Sequence, residues 1–292
     1  MQRSLAVFSP VCVLTQPAMV MVTVMATAMA TVTVTVMATA MERKSPESMK
    51  PAEENMKICD IHTHILPGVD DGAQTMAESL EMLRNAVASD VEYLAVTPHY
   101  NPSEAVDPGY LRERFARLCD AAAEIPIKLA LGAEIHVTDS LPQLLKAGVL
   151  PTINESRYLL TEFPFSRKTQ DFLPVLEQIR AGGYIPVVAH PERYDAVIQE
   201  PGVVYSWLER GCHVQLTGAS IVGKYGARVR RTSEFLLKNG LVCCVASDAH
   251  STESRNNNLL EVQSYLSLYH SQQCAKALLW ENPMKIWRDE AF

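Results

Sequence analysis

From residue 56 onward, short apolar runs alternate with longer segments in which apolar residues recur every three or four positions. This alternation is typical of repeated βα units, which build a parallel sheet. The apolar runs predict seven strands: Lys57–Ile61, Tyr93–Thr97, Ile127–Gly132, Arg157–Glu162, Tyr184–Ala189, Cys212–Leu216 and Leu241–Ala246.

The helical pattern is clearest between the first two predicted strands. Apolar residues from Met76 to Val87 recur on one face, and Thr75 with Glu78 forms a candidate capping box at the start. Further helices are predicted over Tyr110–Glu124, Gln170–Ala181, Arg228–Lys238 and Leu259–Tyr269. Two of them are followed by glycine, at Gly182 and Gly240, as helix C-caps commonly are.

Seven βα repeats over residues 56–292 favour an α/β fold of one particular kind. We expect a distorted (β/α)7 barrel of the TIM type that lacks one strand, rather than an open doubly wound sheet, which has the same local pattern. In such a barrel the carboxyl ends of all strands meet on one face, where active sites form.

Residues 1–55 differ in composition from the rest of the chain. Asp, Glu, Lys and Arg are all missing from Ser4 to Met41, a low-complexity stretch of Met, Ala, Thr and Val that a charged linker follows. We interpret residues 1–55 as an irregular extension, disordered or translated from a misplaced start codon, in preference to a membrane anchor or a cleaved secretory signal. The function is expected in a domain over residues 56–292.

Charge and cysteine content exclude two classes of protein. The net charge of −7 and the lack of a Lys/Arg-rich run argue against nucleic-acid binding. The seven cysteines are odd in number and form no C-x-x-C pair, which predicts free thiols in a reducing compartment. None is followed by Arg six positions later, so the phosphate loop of cysteine-dependent phosphatases is missing.

Six of the seven predicted strands are followed by His, Asp or Glu. Each residue alone has an ordinary explanation, such as a turn for the Asp70-Asp71 pair or a buried salt bridge for Glu162. One cluster of metal ions satisfies all of them together, and imidazole with carboxylate but no thiolate suits Mn, Fe or Zn. The candidate ligands are His62, His64, Asp70 or Asp71, His99, Glu134, Glu162, His190, Asp248 and His250.

Two arginines follow the same strand ends. Arg193 lies three residues after His190, and Arg255 lies seven residues after Asp248. Guanidinium groups there could hold a phosphoryl group bidentately, although surface arginines are the ordinary alternative. The other three histidines, His136, His213 and His270, are interpreted as structural or surface residues.

These motifs resemble a known superfamily. H-x-H, DDG, TPHY, GAE, EFP, AHPERY and SDAH, in this order, are similar to those of the PHP (polymerase and histidinol phosphatase) superfamily. More narrowly, DIHTHILPGVDDGA, HPERY and SDAH with a downstream Arg resemble the bacterial manganese-dependent protein tyrosine phosphatases of capsular and exopolysaccharide synthesis, the CpsB/CapC type.

The resemblance implies a distorted seven-stranded barrel of the PHP type with three divalent metal ions, Mn²⁺ in preference to Fe or Zn. It implies one ion held by His62, His64, Glu134 and Asp248, a second held by Glu134, Glu162 and His190, and a third held by Asp71, His99 and His250. Asp71 is preferred to Asp70 because it directly precedes the Gly of the motif. Arg193, Arg255 and Asp248 are the expected catalytic residues.

The implied reaction is hydrolysis of phosphotyrosine by a metal-activated hydroxide. The implied substrate is a phosphorylated tyrosine kinase of polysaccharide assembly, and the alternative is a small phosphate monoester such as histidinol phosphate. We therefore expect a cytoplasmic phosphatase that binds no nucleic acid and meets the membrane only through the kinase, unless the N-terminal segment is an anchor. An oligomer is compatible with this prediction.

Overall fold

The computed structural model describes residues 56–103 and 108–292, so the predicted extension over residues 1–55 lies outside the described residues. The strands are β1 Ile58–Thr63, β2 Val91–Val96, β3 His99–Tyr100, β4 Lys128–Leu131, β5 Glu134–His136, β6 Tyr158–Glu162, β7 Ile185–Ala189, β8 His213–Thr217 and β9 Cys244–Ala246. The α-helices are α1 Met76–Ala88, α2 Pro108–Ala121, α3 Leu141–Ala147, α4 Phe172–Ala181, α5 Asp195–Gln199, α6 Val203–Leu208, α7 Gly218–Ile221, α8 Ala227–Lys238, α9 Leu260–Tyr269, α10 Gln272–Lys276 and α11 Asn282–Trp287.

The strands form two sheets in which every neighbouring pair is parallel. One sheet has the order β1-β2-β4 and the other the order β3-β5-β6-β7-β8-β9. A parallel bridge between Thr63 and Ala249 connects β1 to the segment after β9. The predicted α/β fold with parallel sheets is therefore confirmed.

Two of the predicted strands are interrupted. The second continues beyond Thr97 and Pro98 as β3, and the third continues beyond Gly132 and Ala133 as β5. The first halves, β2 and β4, pair with each other, and β2 also pairs with β1; the second halves, β3 and β5, pair with each other, and β5 also pairs with β6. Because β5 begins at Glu134, this change of sheet places a predicted ligand beside the end of β6.

Most predicted elements have boundaries close to the observed ones. The side chain of Thr75 accepts a hydrogen bond from the Glu78 backbone N–H at 3.2 Å, as an N-cap should. The Glu78 carboxylate accepts from the Gln74 backbone N–H instead of completing the capping box at Thr75. Six helices of four to seven residues were not predicted, because so few positions show no helical period: α3, α5, α6, α7, α10 and α11.

Apolar side chains between the strands support the carboxyl ends from below. Ile61, Leu160, Val187 and Ala246 come from four different strands and pack in one fully buried cluster. The polar residues that follow these strands therefore lie next to a close-packed apolar layer, which restricts their positions. Within the described ranges, no helix is both long enough and apolar enough to span a membrane.

His213, at the start of β8, is partly buried at the opposite end of that strand from Thr217. Its ring packs against Phe292 with centroids 4.2 Å apart. Burial lowers the pKa of His213 to about 4, and repulsion from Arg180 and Lys285 adds to this effect. The structure thus accommodates His213 as a neutral ring.

We expect His213 to make unfolding of the protein depend on pH below neutrality. The unfolded state binds a proton near pH 6.5, but the folded state binds it only near pH 4, so His213 lowers stability as pH falls through this window. Between pH 7.5 and 4.5, the wild type should lose about 2 to 3 kcal/mol more stability than His213→Phe. Urea unfolding of the metal-free proteins at both pH values measures this difference, and an equal loss in both proteins would contradict it.

Candidate metal centre

The rings of His62 and His64 face each other at the end of β1. Both side chains are fully buried, and their Nε2 atoms lie 3.1 Å apart. Each Nδ1 has a partner on the other side: Gln215 Oε1 for His62 and Asp70 Oδ2 for His64, both at 2.8 Å. If both Nδ1 atoms donate, two Nε2 lone pairs converge, and a shared cation is what stabilises that arrangement.

Asp70 and Asp71 have different environments. The side chain of Asp70 is only 5% exposed and accepts hydrogen bonds from the His99 and Gly72 backbone N–H groups, both at 2.9 Å, in addition to its contact with His64. Burial alone would raise the pKa of Asp70, but the bond to His64 outweighs this effect and lowers it to about 2. Asp71 is 62% exposed, and its Oδ1 lies 3.4 Å from His99 Nε2 and 3.3 Å from His250 Nε2. Asp70 therefore positions His64, while Asp71 faces two other histidines.

The DDG turn requires glycine at its third position. A Cβ atom on Gly72 would lie 1.9 Å from the carbonyl oxygen of His64 and 2.6 Å from its Cβ. The turn is further tied to β1 by a hydrogen bond from the Ala73 backbone N–H to the same carbonyl at 3.0 Å. Close packing of the turn on His64 thus positions Asp70 and Asp71 at the site.

Glu134 is the carboxylate at the middle of the site. It is fully buried, and His190 Nε2 lies 2.9 Å from its Oε1. Its Oε2 lies 3.0 Å from His99 Nδ1 and 3.4 Å from the Nε2 atoms of both His62 and His64. Burial would raise the pKa of Glu134, but the surrounding imidazoles, with His62 the strongest, hold it well below its usual value. A carboxylate that is charged and surrounded by four imidazoles can bridge cations.

Asp248 connects the histidines to both arginines. Arg193 Nη1 donates to its Oδ2 at 2.9 Å, and Arg255 Nη2 donates to its Oδ1 at 3.0 Å. The same Oδ1 lies 3.6 Å from His62 Nε2. Asp248 has φ of 54° and His190 has φ of 34°, left-handed values that are costly for residues with side chains and that cluster at functional sites.

Several buried polar atoms here form no hydrogen bond with any described residue. They include Glu134 Oε2, Glu162 Oε2 and His250 Nε2, which have polar neighbours at 3.0, 2.8 and 3.3 Å but no neighbour in hydrogen-bond geometry. Unpaired polar atoms are costly inside a protein, and carboxylate oxygen with imidazole nitrogen is the donor set of Mn, Fe and Zn sites. The residues present therefore fit divalent metal ions.

All nine predicted metal ligands lie in this one region. Among the described residues, four groups of side chains have donor atoms within 4.8 Å of one another: His64 with Asp71, His99 and His250; His62 with His64 and Asp248; His62 with Glu134 and His190; and His99 with His136 and Glu162.

Comparison with known proteins agrees with this geometry. The family model described as "Capsular polysaccharide synthesis, CpsB/CapC" matches residues 58–288. The chain belongs to the CpsB/CapC family. It is 36% identical over 202 residues to the tyrosine-protein phosphatase YwqE of Bacillus subtilis, which covers 68% of this chain and 80% of that protein. It is 30% identical over 241 residues to the tyrosine-protein phosphatase CpsB of Streptococcus pneumoniae, which covers 80% and 99%.

Solved structures support the same relationship. One described as YwqE from Bacillus subtilis and CpsB from Streptococcus pneumoniae, "unique metal-dependent tyrosine phosphatases", has a TM-score of 0.75 and 32% identity, covering 80% of this chain and 96% of that chain. The phosphotriesterase homology protein of Escherichia coli has a TM-score of 0.55 at 13% identity, covering 80% and 99%, and shares the fold alone.

In this CpsB/CapC family member, sequence reasoning missed His136. The structure places its Nδ1 2.8 Å from Glu162 Oε2, with its ring 6.2 Å from that of His99. The His136 side chain is 40% exposed, which agrees with the interpretation as a surface residue, but it also contacts a predicted ligand. Strand alternation could have identified it, because Glu134 and His136 are two residues apart, as His62 and His64 are.

Gln215 on β8 was also missed. It follows no strand end, but it is fully buried within β8 and contacts His62 Nδ1 through Oε1. A glutamine between Val214 and Leu216 in a buried strand was the available signal. Its role is to fix which nitrogen of His62 faces the other ligands.

We expect Gln215→Leu to weaken metal binding by about tenfold to a hundredfold, because His62 loses the partner that orients its ring. Gln215→Glu keeps an acceptor oxygen at the same place and should retain most of the affinity. Competitive titration against a chromophoric chelator measures both variants. An equal loss in both, or no loss in either, would contradict the positioning role.

Proposed function

We propose that this chain is a metal-dependent protein tyrosine phosphatase, and that residues 56–292 form its PHP-type catalytic domain. The observation that carries the proposal is that nine imidazole and carboxylate side chains lie together at the strand ends. Two arginines, Arg193 and Arg255, donate hydrogen bonds to one of the nine, Asp248. The tyrosine phosphatases YwqE and CpsB, to which the chain is similar, support phosphotyrosine as the substrate. The bridge between Thr63 and Ala249 supports closure of the seven predicted strands into a distorted barrel.

We assign the ligands to three ions, with Mn²⁺ preferred. His62, His64, Glu134 and Asp248 would hold the first, Glu134, Glu162 and His190 the second, and Asp71, His99 and His250 the third. The contacts of Glu134 with His62, His64 and His190 support its place between the first two ions. The contacts of Asp71 with His99 and His250 support the third set and favour Asp71 over Asp70.

Divalent ions held there supply Lewis acidity toward a phosphoryl group and lower the pKa of water toward neutrality. Arg193 and Arg255 would bind the phosphoryl oxygens, because both contact Asp248 while 20% and 31% of their side chains remain exposed. Asp248 orients both arginines and keeps their charges close together. Charge on the equatorial oxygens would then be stabilised from two directions in the transition state.

The substrate we propose is a phosphorylated tyrosine kinase of polysaccharide assembly. The family description, capsular polysaccharide synthesis, supports this assignment. A cytoplasmic location follows from it, and the free cysteines among the described residues fit a reducing compartment.

Chelation and thiol alkylation test the chemistry. We expect a strong chelator to abolish hydrolysis of a phosphotyrosyl peptide and added Mn²⁺ to restore it, whereas iodoacetamide leaves it intact because most described thiols are buried. Histidinol phosphate, measured in the same assay, should be the poorer substrate. Activity that survives chelation but not alkylation would contradict the metal-dependent mechanism. A preference for histidinol phosphate would contradict the assignment of a protein substrate.

A further inference from the structure

Phe165 is a partly exposed aromatic residue beside the candidate metal centre. It lies three residues after Glu162, and 40% of its surface is exposed, although Phe163 and Tyr194 next to it are fully buried. Its carbonyl oxygen accepts a hydrogen bond from the Asp195 backbone N–H at 2.9 Å. The backbone of Phe165 is therefore held in place while its ring borders solvent.

The ring of Phe165 is fixed by the residues that follow β7. It stacks on the His190 ring with centroids 5.9 Å apart and an interplanar angle of 19°. It also contacts the Tyr194 ring edge-on at 5.7 Å. A scattered surface phenylalanine would need no explanation, but this one is anchored directly on a predicted metal ligand.

Arg193 lies between two aromatic rings. Its guanidinium carbon is 4.9 Å from the centroid of Phe165 and 4.8 Å from the centroid of Tyr225. Its Nη1 donates a hydrogen bond to Asp248, so the guanidinium group is held in place between the rings of Phe165 and Tyr225. Tyr225, in the loop between α7 and α8, is itself only partly buried.

This arrangement places aromatic surface beside the group that would bind phosphate. A phosphoryl group bound to Arg193 would have its ester substituent close to the rings of Phe165 and Tyr225, because the two ring centroids lie 4.9 and 4.8 Å from the guanidinium carbon. A phenyl substituent gains offset or edge-on contact with such a ring, worth about two- to twelvefold in affinity. An alkyl substituent gains no comparable ring contact.

We propose that Phe165 and Tyr225 form an aromatic wall that contacts the phenyl ring of an aryl phosphate and so selects aryl over alkyl phosphate monoesters. This proposal rests on the proposed phosphatase function, because it assigns the site a phosphoryl group. Phe165 is the principal residue of the wall, and Tyr225 is the second.

Binding of two phosphonates to the metal-loaded full chain tests the wall. Calorimetry compares phenylphosphonate, which carries an aromatic ring, with ethylphosphonate, which does not. Phe165→Leu should weaken phenylphosphonate binding by about three- to tenfold and leave ethylphosphonate within about twofold. Phe165→Tyr should restore the preference, and Tyr225→Leu should reduce it. Tyr205→Leu, at an aromatic residue 44% exposed on α6, is the matched control and should leave both affinities unchanged.

Three outcomes would contradict the proposed aromatic wall. The first is that the wild type binds phenylphosphonate no more tightly than ethylphosphonate. The others are that Phe165→Leu loses affinity for both phosphonates equally, or that its affinities do not change. The equal loss would show that Phe165 acts only by holding Arg193. Because calorimetry needs no turnover, an inactive protein that still discriminates would contradict the proposed function and support the wall. An active protein without discrimination would overturn the wall alone.

Discussion

Replacing Glu134 by glutamine is expected to lower the turnover of a phosphotyrosyl peptide by about a thousandfold or more. The carboxylate lies within 3.4 Å of the imidazoles of His62, His64, His99 and His190, so it provides the negative charge shared by the largest number of ligands. Glutamine keeps nearly the same volume but removes that charge, which should eject at least one cation. Steady-state kinetics together with the metal content of the purified variant measure the two effects.

Glu92→Gln is the matched control for this variant. Glu92 lies on β2 and forms ion pairs with Lys57 and Lys128 outside the site, at 2.6 and 3.3 Å. This control should retain full activity and metal content. Circular dichroism separates a folding defect in Glu134→Gln from a metal defect. A folded Glu134→Gln protein with wild-type activity would contradict the assignment of Glu134 as a ligand.

Removing either arginine should lower kcat strongly while the metal ions stay bound. We expect Arg255→Met or Arg193→Met to reduce kcat by about a hundredfold, because each loses charge-assisted hydrogen bonds that strengthen in the transition state. Arg255→Lys should recover only part of this loss, since an ammonium group cannot reproduce the planar fork. Kinetics at saturating Mn²⁺ and metal analysis give the comparison.

Arg117→Met serves as the control for the arginine variants. Arg117 is exposed on α2 and forms an ion pair with Glu113, one turn earlier on the helix. Its loss should leave kcat unchanged. A change confined to KM in Arg193→Met or Arg255→Met would mean that the arginines stabilise the bound substrate and the transition state equally, which would contradict the expected loss of kcat.

Sequence patterns predicted the strands and brought the candidate ligands at their ends to attention for a simple physical reason. A strand such as Ile185–Ala189 is apolar because it is buried, and the polar residue His190 at its end is therefore conspicuous. Strand alternation likewise placed His62 and His64 on one side, and their Nε2 atoms do face each other. Signals of this kind are local, so one sequence is enough to read them.

What could not be predicted depends on contacts between distant residues. The different roles of Asp70 and Asp71 follow from the backbone N–H of His99, which lies about thirty positions away in sequence and binds Asp70. Gln215 likewise gains its role from His62, which no local pattern reveals. The second and third predicted strands are interrupted near Pro98 and Gly132, and each continues in the other sheet. These interruptions could not be predicted, because they depend on which strands become neighbours in the fold.

The most direct test is anomalous X-ray scattering from crystals of the wild-type protein grown with Mn²⁺. The proposed assignment predicts three manganese peaks, each about 2.2 Å from its ligands, with Glu134 bridging two of them. Peaks that avoid Glu134, His190 and Asp248, or an active protein with no metal at these residues, would contradict the central claim that these side chains share metal ions.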